Sequence, residues 1–108
     1  MAATQSQTPD VGVVQRAVGR YIEDTEAAAI TITCGFKPRY VKVVNTTAGI
    51  MMEWFEGMTA GYGIKTGVDG ARSLITTLGI TVSEGGFVIG LDTDLNVINE
   101  QLSWIAFG

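Results

Sequence analysis

Few residues of this chain have the chemistry for catalysis. It contains no histidine, which removes the commonest general base and the commonest metal ligand together. Its one cysteine, Cys34, stands in the alternating run 30–34, whose apolar phase points its side chain inward. The thiolate is the nucleophile in cysteine chemistry, and apolar surroundings disfavour it. We therefore expect Cys34 to be a buried structural thiol and the chain not to be an enzyme.

Two carboxylates, Glu53 and Glu56, flank the aromatic pair Trp54 and Phe55. Paired carboxylates next to aromatic rings are typical of carbohydrate-cleaving sites. On a strand, however, residues three apart point to opposite faces. We interpret both as solvated carboxylates or as the rim of an interface, and a glycosidase remains a minor hypothesis.

The segment Asp92-Thr93-Asp94-Leu95-Asn96 has the spacing that opens a calcium-binding loop. Val97 stands where that loop needs its turn glycine, and Ser103 replaces the bidentate glutamate. A polar turn is the favoured interpretation. No metal and no cofactor are predicted.

Composition narrows the classes of partner. The chain has 108 residues, a formal net charge of −4 and a hydrophobic content of 46%. An acidic domain is not attracted to phosphate backbones or anionic membranes, so neither nucleic acid nor a membrane is expected as a partner. One cysteine excludes an intrachain disulfide, and burial must supply the stability.

The pattern along the chain predicts an all-β fold. Fourteen glycines against two prolines, with repeated Val, Ile and Thr, favour short strands and tight turns. Strands are predicted at 28–34, 39–45, 50–56, 73–77, 79–83, 87–91 and 101–107, with a tight hairpin at Glu84 to Gly86. The stretch 11–24 is read as extended, with a helix as its alternative. The stretch 57–70 is read as a loop, with a short irregular strand as its alternative, and 92–100 is read as a loop. This pattern is typical of an antiparallel β-sandwich or a jelly-roll-like barrel.

The chain is divided into a flexible N-terminal arm, residues 1–14, and one β-sandwich domain, residues 15–108. The arm is polar at first and has no charge before Asp10, so it cannot bury enough surface to fold alone. Contacts between chains are expected from three groups of residues: apolar residues of the arm, apolar residues around the first tryptophan, and one tyrosine of the glycine-rich stretch. These interface candidates are Val11, Val13, Val14, Met51, Met52, Trp54, Phe55 and Tyr62.

Several segments resemble the small virion structural proteins of tailed bacteriophages. They are 35–45, 52–58, 79–82, 85–90 and the closing Trp104-Ile105-Ala106-Phe107-Gly108. Within that class, the pattern is similar to a capsid decoration, or cement, protein, and it covers residues 28–108.

The resemblance implies a homo-oligomer, a trimer more than a dimer, on the exterior of the capsid. There the subunit would bridge copies of the major capsid protein and resist internal DNA pressure, after synthesis in the host bacterial cytoplasm. A different class of function stays open, in which the loops 57–70 and 92–100 bind a receptor or glycan for a tail fibre or baseplate.

Overall fold

A computed structural model describes residues 15–23 and 27–108, and every regular element in them is a β-strand. This confirms the predicted all-β class. The strands in chain order are β1 (Arg16–Ile22), β2 (Ile30–Thr33), β3 (Tyr40–Asn45), β4 (Ile50–Phe55), β5 (Tyr62–Thr66), β6 (Arg72–Ser83), β7 (Gly86–Ile89) and β8 (Gln101–Phe107).

The strands form one antiparallel sheet in the order β1-β8-β3-β4-β5-β6-β7-β2. Strands β3 to β7 are a simple meander, because each pairs with the next along the chain. The last strand, β8, lies beside β3 and is covered on its other side by β1. The sheet curls into a half-barrel with β1 and β2 as its two edges, which is consistent with the predicted sandwich or barrel-like fold.

The concave side of this sheet holds the core. In β3 and β4 every second residue is buried, as the alternating sequence predicts. The buried apolar residues are Ile30, Phe36, Val41, Val43, Ile50, Met52, Trp54, Ile80, Phe87, Ile89, Leu95, Leu102 and Ala106. Since they come from six of the eight strands and from two connecting segments, a single core stabilises the whole described sheet.

The glycine-rich stretch 57–70 is not the favoured loop throughout, because its central part forms the short strand β5, which was the alternative prediction. The close approach of Met52 explains the glycine at position 63. The Met52 side chain fills the space that a side chain at Gly63 would need, since a Cβ there would lie 2.7 Å from the Met52 sulfur. The missing side chain at Gly63 therefore suits a strand that must pass close over the core.

The two strands predicted at 73–77 and 79–83 are one strand, β6, with a corner inside it. Tyr62 of β5 pairs with Ile80, whereas the next residue, Gly63, pairs with Ile75. The residues between them bulge out, and Leu78 has a positive φ of 60°. Past the corner, β6 leaves β5 and pairs with β7, so the corner is where the sheet curls.

The predicted arm, residues 1–14, and its candidates Val11, Val13 and Val14 lie outside the described residues. The predicted extended segment 11–24 is a strand over its described central part, β1. No helix in the described ranges is long and apolar enough to cross a membrane.

Candidate functional site

The convex side of the sheet presents a continuous surface, which we call the outer face. Strand pairing aligns its residues in three rows that run across the strands from β1 toward β6. The rows are Arg20-Ser103-Val44-Met51-Thr66-Arg72, then Val18-Ile105-Lys42-Glu53-Ile64-Leu74, and Arg16-Phe107-Tyr40-Phe55.

The outer face is largely apolar although nothing among the described residues covers it. Val18, Phe55 and Leu74 are 68%, 45% and 61% exposed, and Phe107 also lies in contact with solvent. Nine of the sixteen side chains in the three rows are aliphatic or aromatic. Contiguous exposed apolar surface on this scale is characteristic of interaction sites.

Aromatic rings form one end of the outer face. Tyr40 lies between Phe55 and Phe107, with ring centroids 5.0 Å and 6.0 Å apart. The three residues are cross-strand neighbours on β4, β3 and β8. Tyr62 of β5 is half-buried and pairs with Ile80, where the register between β5 and β6 shifts.

The Tyr40 phenol anchors the cluster to the middle of the outer face. Its hydroxyl donates a hydrogen bond to Glu53 Oε2 over 2.6 Å. Burial, this hydrogen bond and the nearby negative charge of Glu53 all raise the pKa of Tyr40 well above its usual value. The other carboxylate of the predicted pair, Glu56, is instead paired with Arg39 at 3.1 Å on the rim. The two carboxylates therefore have separate partners.

The cations divide into two groups. Lys37, Arg39 and Lys65 each form an ion pair with a carboxylate. The other four, which form no ion pair with a described residue, all lie on the outer face: Arg16, Arg20, Lys42 and Arg72. Glu53 is the one carboxylate in the three rows. A chain with a net charge of −4 thus presents a face with an excess of positive charge.

A second polar cluster lies where the predicted calcium-like segment folds. Asp92 Oδ1 accepts hydrogen bonds from the backbone N–H groups of Asp94 and Leu95, at 3.0 Å and 3.1 Å. This is the expected polar turn. Lys65 Nζ lies 2.9 Å from Asp92 Oδ1 and 2.7 Å from Asp94 Oδ2, so an ammonium group occupies the position between the two carboxylates.

The ion pair between Lys65 and Asp92 is well shielded from solvent, because the two side chains are only 15% and 11% exposed. Burial would lower the pKa of Lys65, but its hydrogen bonds to Asp94 and Asp92 raise it. Burial would likewise raise the pKa of Asp92, but the Lys65 ammonium and the two backbone N–H groups lower it. Lys65 and Asp92 therefore both stay ionised in the folded chain. In the described part of the chain, no three His, Cys, Asp or Glu side chains are arranged to hold a metal ion.

Two buried asparagines fix the segment 91–100 to the sheet. Asn45 donates to the carbonyl of Leu95 at 2.9 Å and to Glu100 at 2.8 Å. Asn96 donates to the carbonyls of Ala28 and Gly90. Side-chain amides thus replace the missing strand hydrogen bonds of this long connection.

The same connection and the β6 corner enclose a shallow pocket of about 470 Å³. Its lining is mainly apolar and consists of Ala27, Leu78, Leu91, Thr93, Asn96, Val97 and Ile98. The segment 92–100 forms no strand or helix, so it is an irregular connection, as predicted. An apolar lining offers few partners for the hydroxyl groups of a sugar.

The predicted interface residues separate into two sets. Met51 and Phe55 lie on the outer face, and Tyr62 is half-buried at the register shift between β5 and β6. Met52 and Trp54 are buried in the chain's own core. These two side chains therefore offer no contact surface to another chain, which corrects the prediction for them; alternation along β4 makes them inward residues.

Val18 and Leu74, the most exposed apolar residues in the three rows, were not among the predicted interface residues, and neither was Ile105. Val18, Leu74 and Ile105 come from three strands that are distant in sequence, and only the pairing register aligns Val18 with Ile105. The signal that the sequence did offer was an apolar residue in the outward phase of a strand, as at Ile105 in β8.

Cys34 is half-buried, and its thiol donates to the Phe36 carbonyl at 3.4 Å.

No protein family model, curated protein or solved structure matches this chain. The resemblance to phage decoration proteins thus remains a prediction from the sequence.

Proposed function

We propose that this chain is a non-enzymatic virion structural protein that decorates the outer capsid shell and cements it by bridging major capsid protein subunits. The observation that carries the proposal is the uncovered apolar outer face. A decoration protein must bury such a surface against another protein.

The size of the outer face suits a protein contact. Six strands about 4.8 Å apart and three rows about 7 Å apart outline roughly 600 Å². A standard protein interface buries about 800 Å² on each partner. The outer face is therefore large enough to supply most of one specific contact.

The rigid support behind the outer face also favours a binding role. Most inward residues of β3, β4 and β8 are buried under it, and a packed core holds the outward residues in fixed positions. A preorganised surface loses little conformational entropy when it binds. Repeated contacts of this kind over a shell would add up through multivalency.

The side chains with catalytic potential are engaged elsewhere. Glu53 accepts a hydrogen bond from Tyr40, Glu56 pairs with Arg39, and Asp92 pairs with Lys65. These partnerships support a structural role for the carboxylates. In the proposed role, the chain acts as a homotrimer, as the resemblance implies, and needs no cofactor.

Cryo-electron microscopy of the assembled particle tests the proposal by locating the chain and counting its copies. We expect hundreds of copies at junctions between capsomers, with the outer face against the shell. A few copies at a tail tip would instead support the receptor-binding function, and absence from the particle would refute both.

Variants of the outer face sharpen this test. Val18→Ser and Leu74→Ser remove exposed apolar groups and should lower the number of bound copies. Val68→Ser is the matched control, because Val68 is 78% exposed in the β5–β6 turn and does not belong to the three rows. Equal loss of copies in the control would mean that the outer face is not the docking surface.

A further inference from the structure

The charges of the outer face define the chemistry of what it binds. The first row, which ends in Arg20 on β1 and Arg72 on β6, crosses the face from side to side. Five strand spacings of about 4.8 Å separate these two arginines, or about 24 Å along the sheet. The apolar residues Val44 and Met51 lie between them.

The arginines have no ionic partner within the described chain, in contrast to Lys37, Arg39 and Lys65. Arg16 extends the positive edge along β1. Since opposite charges across an interface set its specificity and its rate of association, the missing partners point to carboxylates on another molecule.

A second copy of the chain is a poor occupant if it uses the same face. A twofold axis parallel to the strands would stack Arg20 of one copy on Arg72 of the other, and a twofold axis parallel to the row would stack each arginine on its own counterpart. Like charges opposed in this way are unfavourable. The convex shape of the sheet further limits the area that two such faces could share.

The N-terminal segment of the chain does not supply the missing charges either. Asp10 is the one ionisable side chain in residues 1–14, and a single carboxylate cannot pair with arginines about 24 Å apart. Nucleic acid fits less well than protein, because the apolar residues that separate the cations find no counterpart in a phosphate backbone.

We propose that the outer face binds an acidic surface of a different protein, one with two carboxylate groups or clusters about 24 Å apart on either side of an apolar patch. This inference rests on the proposed function only in taking the outer face as the docking surface. Under that function, the acidic surface belongs to the capsid shell.

A synthetic peptide tests the charge preference without the particle. The probe alternates Glu and Leu over ten residues, and a second peptide alternates Lys and Leu with the same apolar content. Amide chemical shifts of the ¹⁵N-labelled protein report where each peptide binds. We expect the Glu peptide to shift outer-face residues and to bind at least about fivefold more tightly than the Lys peptide at low salt.

Matched charge reversals then assign the effect to the face. Arg20→Glu should weaken binding of the Glu peptide at least about fivefold, whereas Lys37→Glu, with the same change in net charge off the face, should change it less than about twofold. Raising the salt to about 0.5 M should reduce the preference for the Glu peptide.

Five results would overturn the inference: equal affinity for the two peptides, no binding of either, tighter binding of a short DNA strand, contacts from residues 1–14 over the outer face in the free protein, or a dimer in solution that Phe55→Ser dissociates. The outcomes are separable from the proposed function. Charge-selective binding without particle occupancy would refute the cement role alone, and particle occupancy without charge selectivity would refute this inference alone.

Discussion

At the scale of single residues, the buried polar side chains of the described chain are matched to partners. The buried polar residues Asn45, Asp92 and Asn96 are all hydrogen-bonded, and no buried side-chain nitrogen or oxygen atom in the described ranges lacks a partner. Because the interior is satisfied in this way, the unpaired arginines are a property of the surface and not of an irregular fold.

Asp92 should make the stability of the protein depend on acid pH. Its pKa is lowered in the folded chain, so its contribution is present above the unfolded pKa of about 4 and is lost as pH falls through the folded value. We expect Asp92→Asn to lower the free energy of unfolding by about 2 kcal/mol at pH 7, and by less at pH 2.5, because the contribution of the Asp92 charge falls once the pH drops below the unfolded pKa.

Urea denaturation of the two proteins at both pH values measures this difference. Glu84→Gln is the control, because Glu84 is a highly exposed carboxylate 3.9 Å from Lys37 and should contribute under about 0.5 kcal/mol. A loss of the same size at pH 2.5 and pH 7 would show that the charge of Asp92 is not responsible.

Tyr40 should act in the opposite pH range. Its pKa is raised in the folded chain, so its contribution is present below the unfolded value of about 10 and is lost as pH rises toward the folded value. Tyr40→Phe should cost about 1 kcal/mol at pH 8, and the deficit should shrink at pH 11. Chemical denaturation at the two pH values measures it.

Tyr62→Phe removes a hydroxyl group for which no hydrogen bond is found in the described chain, and it should leave stability nearly unchanged at pH 8. If the two variants behaved alike, the hydrogen bond from Tyr40 to Glu53 would not be the source of the effect.

At the scale of elements, the β6 corner explains how one strand serves two parts of the sheet. Gly79 donates to the Gly61 carbonyl and accepts from Gly90, at 2.9 Å and 2.8 Å. Backbone segments thus approach each other closely on both sides of Gly79. From the sequence, 73–77 and 79–83 were predicted as two separate strands, because a close approach of backbones leaves no local pattern.

Gly79→Ala should therefore destabilise the protein strongly. A Cβ at this position would lie 2.6 Å from the Tyr62 carbonyl carbon and 2.7 Å from the Gly61 oxygen, and backbone atoms of paired strands cannot move aside. We expect a loss of about 3 kcal/mol in the free energy of unfolding, measured by urea denaturation.

Gly85→Ala is the matched substitution in the β6–β7 turn, where a Cβ would meet nothing within 4 Å. It should change stability by under about 0.5 kcal/mol. If Gly79→Ala were tolerated equally well, the close approach at the corner would be refuted.

At the scale of the whole molecule, the sheet order sets which backbone amides are protected. Strands β3, β4 and β8 each have a neighbour on both sides, whereas β1 and β2 have one described neighbour. The central strands also carry most of the fully buried residues. Opening of the edges should therefore need less free energy than opening of the centre.

Hydrogen–deuterium exchange followed by NMR should show this order directly. Amides in β3, β4 and β8 should exchange most slowly. In β1 the amides should alternate, because Ala17, Gly19 and Tyr21 face β8 whereas Val18 and Arg20 face the free edge. Uniform protection along β1 would show that another segment or another chain pairs with this edge. The outer face would then extend beyond β1.

Local patterns in the sequence were enough to predict most of the strands, although they favoured a loop where β5 lies and divided β6 into two strands. Alternation predicted β3, β4 and β8 nearly to the residue, and the Glu84-Gly85 hairpin was found from its glycines, because side chains on a strand repeat every two residues and tight turns need few residue types.

The tertiary structure alone determined the outer face and its charge. Val18, Met51 and Leu74 belong to one surface only because β1 lies beside β8 and the meander carries β6 to the other side. Likewise, the separation of paired cations from unpaired ones depends on contacts between residues such as Lys65 and Asp92, 27 positions apart. Pairing register between distant strands decides both features, and no short segment of sequence records that register.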